Sequence, residues 1–194
     1  MRKEGKAKVL TEQEFERLLL IAGNGQFATR NLALIYCSFG LGLRAKEIAA
    51  LKISDIADDN YTLREEILLT RSMTKGEKSR TVYPVNPKVA KALQNHLDTL
   101  KAIPQKYCVF TSLYKRAFSA NSLQKWFSAL YDKAGIKGAT SHSGRRTYIT
   151  NLIEKGIDIK AVSRLSGHSS IATTAIYVED NPERLKRISA EGVF

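Results

Sequence analysis

The stretch "HSGRRTYITNLIEKGIDIKAVSRLSGHSSIATTAIYVE", residues 142–179, strings three short helices together and spaces cationic groups along them. Ser141, just ahead of it, reads as an N-cap for a helix that Gly156 closes. Asp158 caps a second helix, closed by Gly167, and a third, short helix ends near Tyr177. His142 and Arg145 are three residues apart, so on a helix they share a face and can converge on one small anion. Gly144 lies between them, where a helix interior disfavours it by about 1 kcal/mol against alanine. Helix propensity does not explain it; close approach of a backbone or ligand, or local packing, would. The ordinary explanation of such a charge cluster is a solvated helix face. The alternative is a cradle for a phosphate, and the rest of the chain has to choose between them.

Working outward, "TEQEFERLLLIAG" places Thr11 as N-cap with Glu14 three residues on, a capping box, and Gly23 ends that helix. "ATRNLALIYCSFG" is apolar on most sides and reads as a buried helix broken by Gly40 and Gly42; a short helix over 45–51 follows. The segment "NYTLREEILLTRSMTKGEKSRTVYPVN" is rich in strand formers and predicts two or three short strands with a hairpin tip near 75–78. Asn86 caps a helix with Pro87 at its first position, and Val89, Leu93, Leu97 and Leu100 form its buried stripe. "SANSLQKWFSALYDKAG" buries Leu123, Phe127 and Leu130. The expectation is an α+β fold, mainly α-helical, with a small antiparallel β-sheet. It is divided into a basic N-terminal tail (1–10), one catalytic-type domain (11–180) and a C-terminal tail helix (181–194).

The chain has 194 residues, enough for one ordinary domain with a core. Its 31 Lys and Arg against 19 Asp and Glu give a net charge of +12, which favours a polyanionic partner, nucleic acid ahead of an acidic membrane surface. No apolar run has the length of a membrane span, and the charged start lacks a signal-peptide core, so a cytoplasmic, nucleoid-associated protein is expected. Cys37 and Cys108 are far apart, outside any metal-ligand spacing, and read as reduced thiols in or near the core. His96 reads as structural or solvent-exposed, and Trp126 as core or an interface anchor.

Three further stretches stand out: "GLRAKEIAALKISDI", "MTKGEKSRTVYP" and "LSGHSSIATTAIYVE". Taken singly, each has an ordinary explanation. Arg44 can pair with Glu47 one turn on, Lys75 can be an exposed turn lysine, His168 a helix-start residue and Tyr177 a half-buried core tyrosine. Their order is another matter: an arginine, a hairpin lysine, His-x-x-Arg, Gly-His, then a tyrosine nine residues after that histidine. This order resembles the catalytic domain of the tyrosine recombinase (phage integrase) family, over residues from about 10 to 180. Two positions depart from the common His-x-Leu-Arg-His pattern: Gly144 stands at the leucine and Arg146 at the last histidine. The chain begins almost at the catalytic domain and so resembles the short members of the family, with weak DNA affinity expected of one monomer.

The resemblance implies catalytic roles for Arg44, Lys75, His142, Arg145, His168 and Tyr177. Tyr177 would be the nucleophile, Arg44 and Arg145 the clamp on the non-bridging phosphate oxygens, and His142 and His168 hydrogen-bonding partners of that phosphate that help with proton movement. Lys75 would protonate the leaving 5′ oxygen, Glu47 would support the site, and Lys78, Arg80 and Arg146 would contact DNA. No cofactor and no metal is implied. The expected partner is double-stranded DNA, with a homotetramer assembling on it from free monomers, Leu185 and Ile188 facing a neighbouring subunit, and accessory DNA-bending proteins.

The residue types fit that chemistry. Charge builds on phosphodiester oxygens in the transition state, where preorganised cations help most, and arginine offers two parallel charged hydrogen bonds. A phenol with a pKa of about 10 needs a base or cationic surroundings to attack. Tyr148 is the rival nucleophile, but its spacing to Leu152 sets it on the buried face. Two other functions share the features: a type IB topoisomerase, with a similar residue set and no paired sites, and a DNA-binding regulator needing no reactive tyrosine.

Overall fold

A computed structural model of the chain describes residues 7–74, 79–114, 116–178, 186 and 189–190. The fold is α+β and mainly helical. Helix α1 (Glu12–Ala22) opens on the expected capping box: the Thr11 hydroxyl accepts from the Glu14 N–H, and the Glu14 carboxylate accepts from the Thr11 N–H. Helix α2 (Ala28–Phe39) is apolar around most of its circumference because it is the central element. It packs against α1, α3 (Ala45–Ala50), α5 (Pro87–Asp98) and α7 (Ser143–Glu154). Asn86 caps α5 ahead of Pro87, accepting from the N–H groups of Lys88 and Val89.

Between α3 and α5 come a one-turn helix α4 (Ile53–Ile56) and two strands, β1 (Ile67–Leu69) and β2 (Arg80–Val82). The strands pair antiparallel, with Ile67 opposite Val82 and Leu69 opposite Arg80. The hairpin tip expected near 75–78 lies outside the described residues, and with it Lys75 and Lys78. Helix α6 (Ala120–Lys133) packs on α1 and α3, and α7, α8 (Ile159–Ser166) and α9 (Ile171–Ala175) complete the order.

Apolar residues of α1 to α6 form one large core, with Leu18, Leu34, Ile48, Phe110 and Phe127 fully buried. A second, small cluster holds Ile149, Ile153 and Val162 of α7 and α8, with Tyr148, Leu152 and Tyr177 packed on it. His96 is buried, stacked on Phe110 with Nε2 3.0 Å from the Val109 carbonyl, so it is structural. Cys37 is buried and free, and burial pushes its thiol up to about 12.

One expectation is corrected. Ser141 does not cap α7; His142 occupies the N-cap, and the start is set by Thr140 and Ser143. The Thr140 hydroxyl accepts from the His142 N–H, and the Ser143 hydroxyl accepts from the Thr140 N–H. Two residues placed in the expected N-terminal tail make contacts with the rest of the chain. Leu10 is buried with its N–H donated to Thr147 Oγ1 at 3.0 Å, and Lys8 pairs with Glu14. Residues 181–194 lie outside the described residues except 186, 189 and 190. No helix among the described residues is long and apolar enough to cross a membrane.

Candidate active site

Arg44 is the residue before α3, in extended conformation, so its side chain leaves the helix end and reaches outward. Its Nη1 donates to Glu47 Oε1 at 2.8 Å, and its N–H donates to Glu47 Oε2 at 2.7 Å. Glu47 is fully buried, which on its own would require a cation. Arg80, from β2, provides a second: Nη1 meets Oε1 at 2.5 Å and Nη2 meets Oε2 at 2.8 Å, a bidentate pair. Burial raises the Glu47 pKa, but the Arg80 hydrogen bonds and charge, then those of Arg44, outweigh it and hold the carboxyl below its ordinary value. Arg80, expected on DNA, therefore has its guanidinium turned inward, its side chain 7% exposed. Gly167 makes room for it. That residue has φ +64°, and a Cβ there would lie 3.0 Å from Arg80 Nη1.

Arg145, in the first turn of α7, is 4% exposed. Its Nη1 donates to the Gly42 carbonyl at 2.7 Å and its Nη2 to the Ser166 carbonyl at 2.5 Å. Burial, then the charges of Arg44 and Arg80, depress its pKa, opposed by Glu47 and Tyr177. A guanidinium remains charged across the physiological range all the same. Gly42 is a glycine for two reasons: φ is +62°, and a Cβ would strike the Tyr148 ring. The glycine inside α7 has a packing reason too. A Cβ on Gly144 would collide with Ser38 Oγ and lie 2.8 Å from the Phe39 ring, so it lets α7 sit close against α2.

Tyr177 follows α9 and rests on the small cluster of α7 and α8. Its ring stacks on that of His168, centroids 5.9 Å apart and planes 17° apart. The Arg146 guanidinium lies over the same ring, 5.8 Å from its centroid. His168 follows Gly167 and is half-buried; burial, then the charges of Arg145, Arg44 and Arg80, push its pKa down to about 4. It is neutral near pH 7.

These groups open onto one cleft of about 1440 Å³, lined by Arg44, His142, Arg145, Arg146, His168 and Tyr177 among others. His142 is exposed at its rim. A second groove of about 680 Å³ shares Arg44 and His168 and runs past Arg80, Tyr83 and Arg164. The arrangement surrounds a space with fixed cations and presents a phenol to it, which suits an anion that gains charge during reaction. Sequence reasoning brought together Arg44, His142, Arg145, His168 and Tyr177, and the same cleft holds all five. It missed the Arg80–Glu47 pair, because 33 positions separate the partners. It also missed Thr174, which sits buried against His168. The Thr-Thr run ahead of Tyr177 offered no chemical signal by itself.

The sequence model of the phage integrase family matches residues 8–184. Tyrosine recombinase XerA of Pyrococcus furiosus is 32% identical over 180 residues, 92% of this chain and 59% of that protein. The chain thus spans about three fifths of the length of the curated relatives it matches. The crystal structure of XerA recombinase superposes with a TM-score of 0.74 at 28% identity, covering 96% of this chain and 65% of that one. The XerH site-specific recombinase bound to difH substrate in a pre-cleavage complex gives 0.70 at 25% identity, with 94% and 53% covered.

Proposed function

From the premise that the chain belongs to the phage integrase family, we propose that it is a site-specific tyrosine recombinase that cuts and rejoins double-stranded DNA. The observation that carries this reading is Tyr177 facing one cleft with Arg44, His142, Arg145 and His168 in a single chain. The Tyr177 oxygen attacks the scissile phosphorus, the bond to the 5′ oxygen breaks, and a 3′-phosphotyrosine forms. The leaving 5′ oxygen takes a proton, for which Lys75 is the proposed donor. The free 5′ hydroxyl of another strand reverses the step, so the bond energy is kept and no nucleotide cofactor is consumed. Arg44 and Arg145 hold the non-bridging oxygens, while Glu47 keeps Arg44 in place. His142 and His168 hydrogen-bond the same phosphate.

Relatives that are recombinases, one solved on its DNA substrate, support double-stranded DNA as the partner, as does the net charge of +12. Assembly into a homotetramer on DNA, accessory bending proteins and a nucleoid location belong to the same proposal.

The test is a pool of nicked duplexes of randomised sequence, with covalent adducts captured and sequenced. The expected result is an adduct at one defined sequence, lost in Tyr177→Phe and retained in Tyr148→Phe. Adducts spread over many sequences would point to a topoisomerase, and none at any sequence to a binding protein. Loss in Tyr148→Phe alone would overturn the nucleophile.

A further inference from the structure

Thr174 lies on α9, three residues before Tyr177, and is fully buried. Its Oγ1 is 2.8 Å from His168 Nδ1. Its backbone carbonyl accepts from the Tyr177 N–H at 3.0 Å. One residue therefore touches both the histidine and the tyrosine of the cleft, the first through its side chain and the second through its backbone.

The direction of the hydrogen bond to His168 follows from what each partner has left to satisfy. Among the described residues, the Thr174 hydroxyl has no side-chain hydrogen-bond partner besides Nδ1. If Nδ1–H donated to Oγ1, the threonine proton would be buried with no acceptor and would lose its hydration uncompensated. If the threonine O–H donates to a bare Nδ1, both groups are satisfied. A neutral imidazole then carries its proton on Nε2. The ring is neutral near pH 7, for burial and then the surrounding arginines disfavour its charged form.

We propose that Thr174 is a positioning residue that locks His168 in the Nε2–H tautomer, so that this histidine offers the cleft a hydrogen-bond donor and no base. In the recombinase reading, on which only the catalytic consequence rests, His168 then donates to a phosphate oxygen. It cannot take the Tyr177 proton, which must leave by another route.

The experiment is a two-bond proton–nitrogen correlation spectrum of the full chain labelled in its histidine nitrogens, near pH 7. There are three histidines, so His96→Gln and His142→Gln assign the signals. Wild-type His168 is expected to show a single neutral form with the proton on Nε2. Thr174→Val, which keeps the shape and removes the hydroxyl, should move the His168 signals toward an average of two tautomers. It should also slow single-turnover strand cleavage by about tenfold, the scale of one hydrogen bond. Thr174→Ser should restore both. An Nδ1–H form of His168 in the wild type would overturn the proposal. So would a Thr174→Val spectrum identical to the wild type. A wild-type spectrum as expected, with no adduct on any duplex, would overturn the recombinase reading and leave the tautomer lock standing.

Discussion

At the scale of single residues, the site depends on one carboxylate. Glu47 is the buried acid against which Arg44 and Arg80 are set, with Arg145 close enough for all three positive charges to interact. Arg44 remains 23% exposed and faces the cleft, while Arg80 is nearly covered. The division of labour follows: Arg80 neutralises Glu47 from behind and leaves part of Arg44's hydrogen-bonding capacity for an incoming anion. Replacing Arg80 with methionine should destabilise the protein toward the low end of about 3–5 kcal/mol, because Arg44 still partners the carboxylate. Replacing both as Arg80→Met with Glu47→Leu should recover most of that stability in chemical denaturation. Cleavage should stay low in the double variant, since Arg44 has lost its anchor. Recovery of stability and cleavage together would mean that the pair is a packing feature unconnected with the site.

At the scale of elements, the cleft lies between two packing units. Arg44 belongs to the large core through α3, and Tyr177 rides on the small cluster of α7 and α8. Arg145 ties them, since α7 carries it and it donates to Gly42 at the end of the α2–α3 connection. The close fit of α7 on α2 therefore sets the width of the cleft. Gly144→Ala tests the fit. Helix propensity alone would favour alanine by about 1 kcal/mol. The new methyl would run into Ser38 and the Phe39 ring, and overpacking of this kind costs about 1–3 kcal/mol. A net loss of stability is expected in thermal or chemical denaturation; equal or higher stability would show that α7 can shift without strain. Much of this level was legible in the sequence. Side-chain N-caps mark the starts of α1, α5 and α8, and glycine stops the ends of α1 and α8, because caps are local chemistry. The start of α7 differs from the expectation, since it depends on two hydroxyls instead of one cap residue: Thr140 accepts from the His142 N–H and Ser143 from the Thr140 N–H. The order of motif residues made five cleft residues legible. Arg80 was not, because its inward turn is fixed by a carboxylate on another element and by the missing side chain of Gly167. Thr174 was not, because a buried threonine differs from an exposed one only through its neighbours.

At the scale of the whole molecule, the concentration of positive charge has a consequence for acid stability. His168 in the cleft and His96 in the core are both held neutral, by burial first in each case. For His168 the cationic neighbours are Arg145, Arg44 and Arg80; for His96 the neighbour is Arg30, and the Val109 hydrogen bond works the other way. A histidine whose folded pKa lies below its ordinary value binds fewer protons folded than unfolded, so stability rises with pH through that window. The contribution from His168 is complete above its ordinary pKa of 6.5 and is lost as pH falls from there toward about 4. Glu47 adds a later loss with the same sign, because its carboxyl, held below the ordinary 4.5, must be protonated on unfolding. Denaturant unfolding followed from pH 7 to pH 4 should thus show stability falling before the carboxylates begin to titrate. His168→Asn, which has no charge to gain, should flatten part of that early limb and leave the later one. On the proposed recombinase reading, a bound DNA phosphate would bring negative charge beside the ring and ease its protonation. With a non-cleavable duplex present, the early loss should accordingly shift to lower amplitude at low ionic strength, and salt should restore it by screening and by releasing the DNA. Stability that stays level between pH 6.5 and 5, with or without DNA, would mean that neither burial nor the arginines around His168 disfavour its charged form as their positions imply.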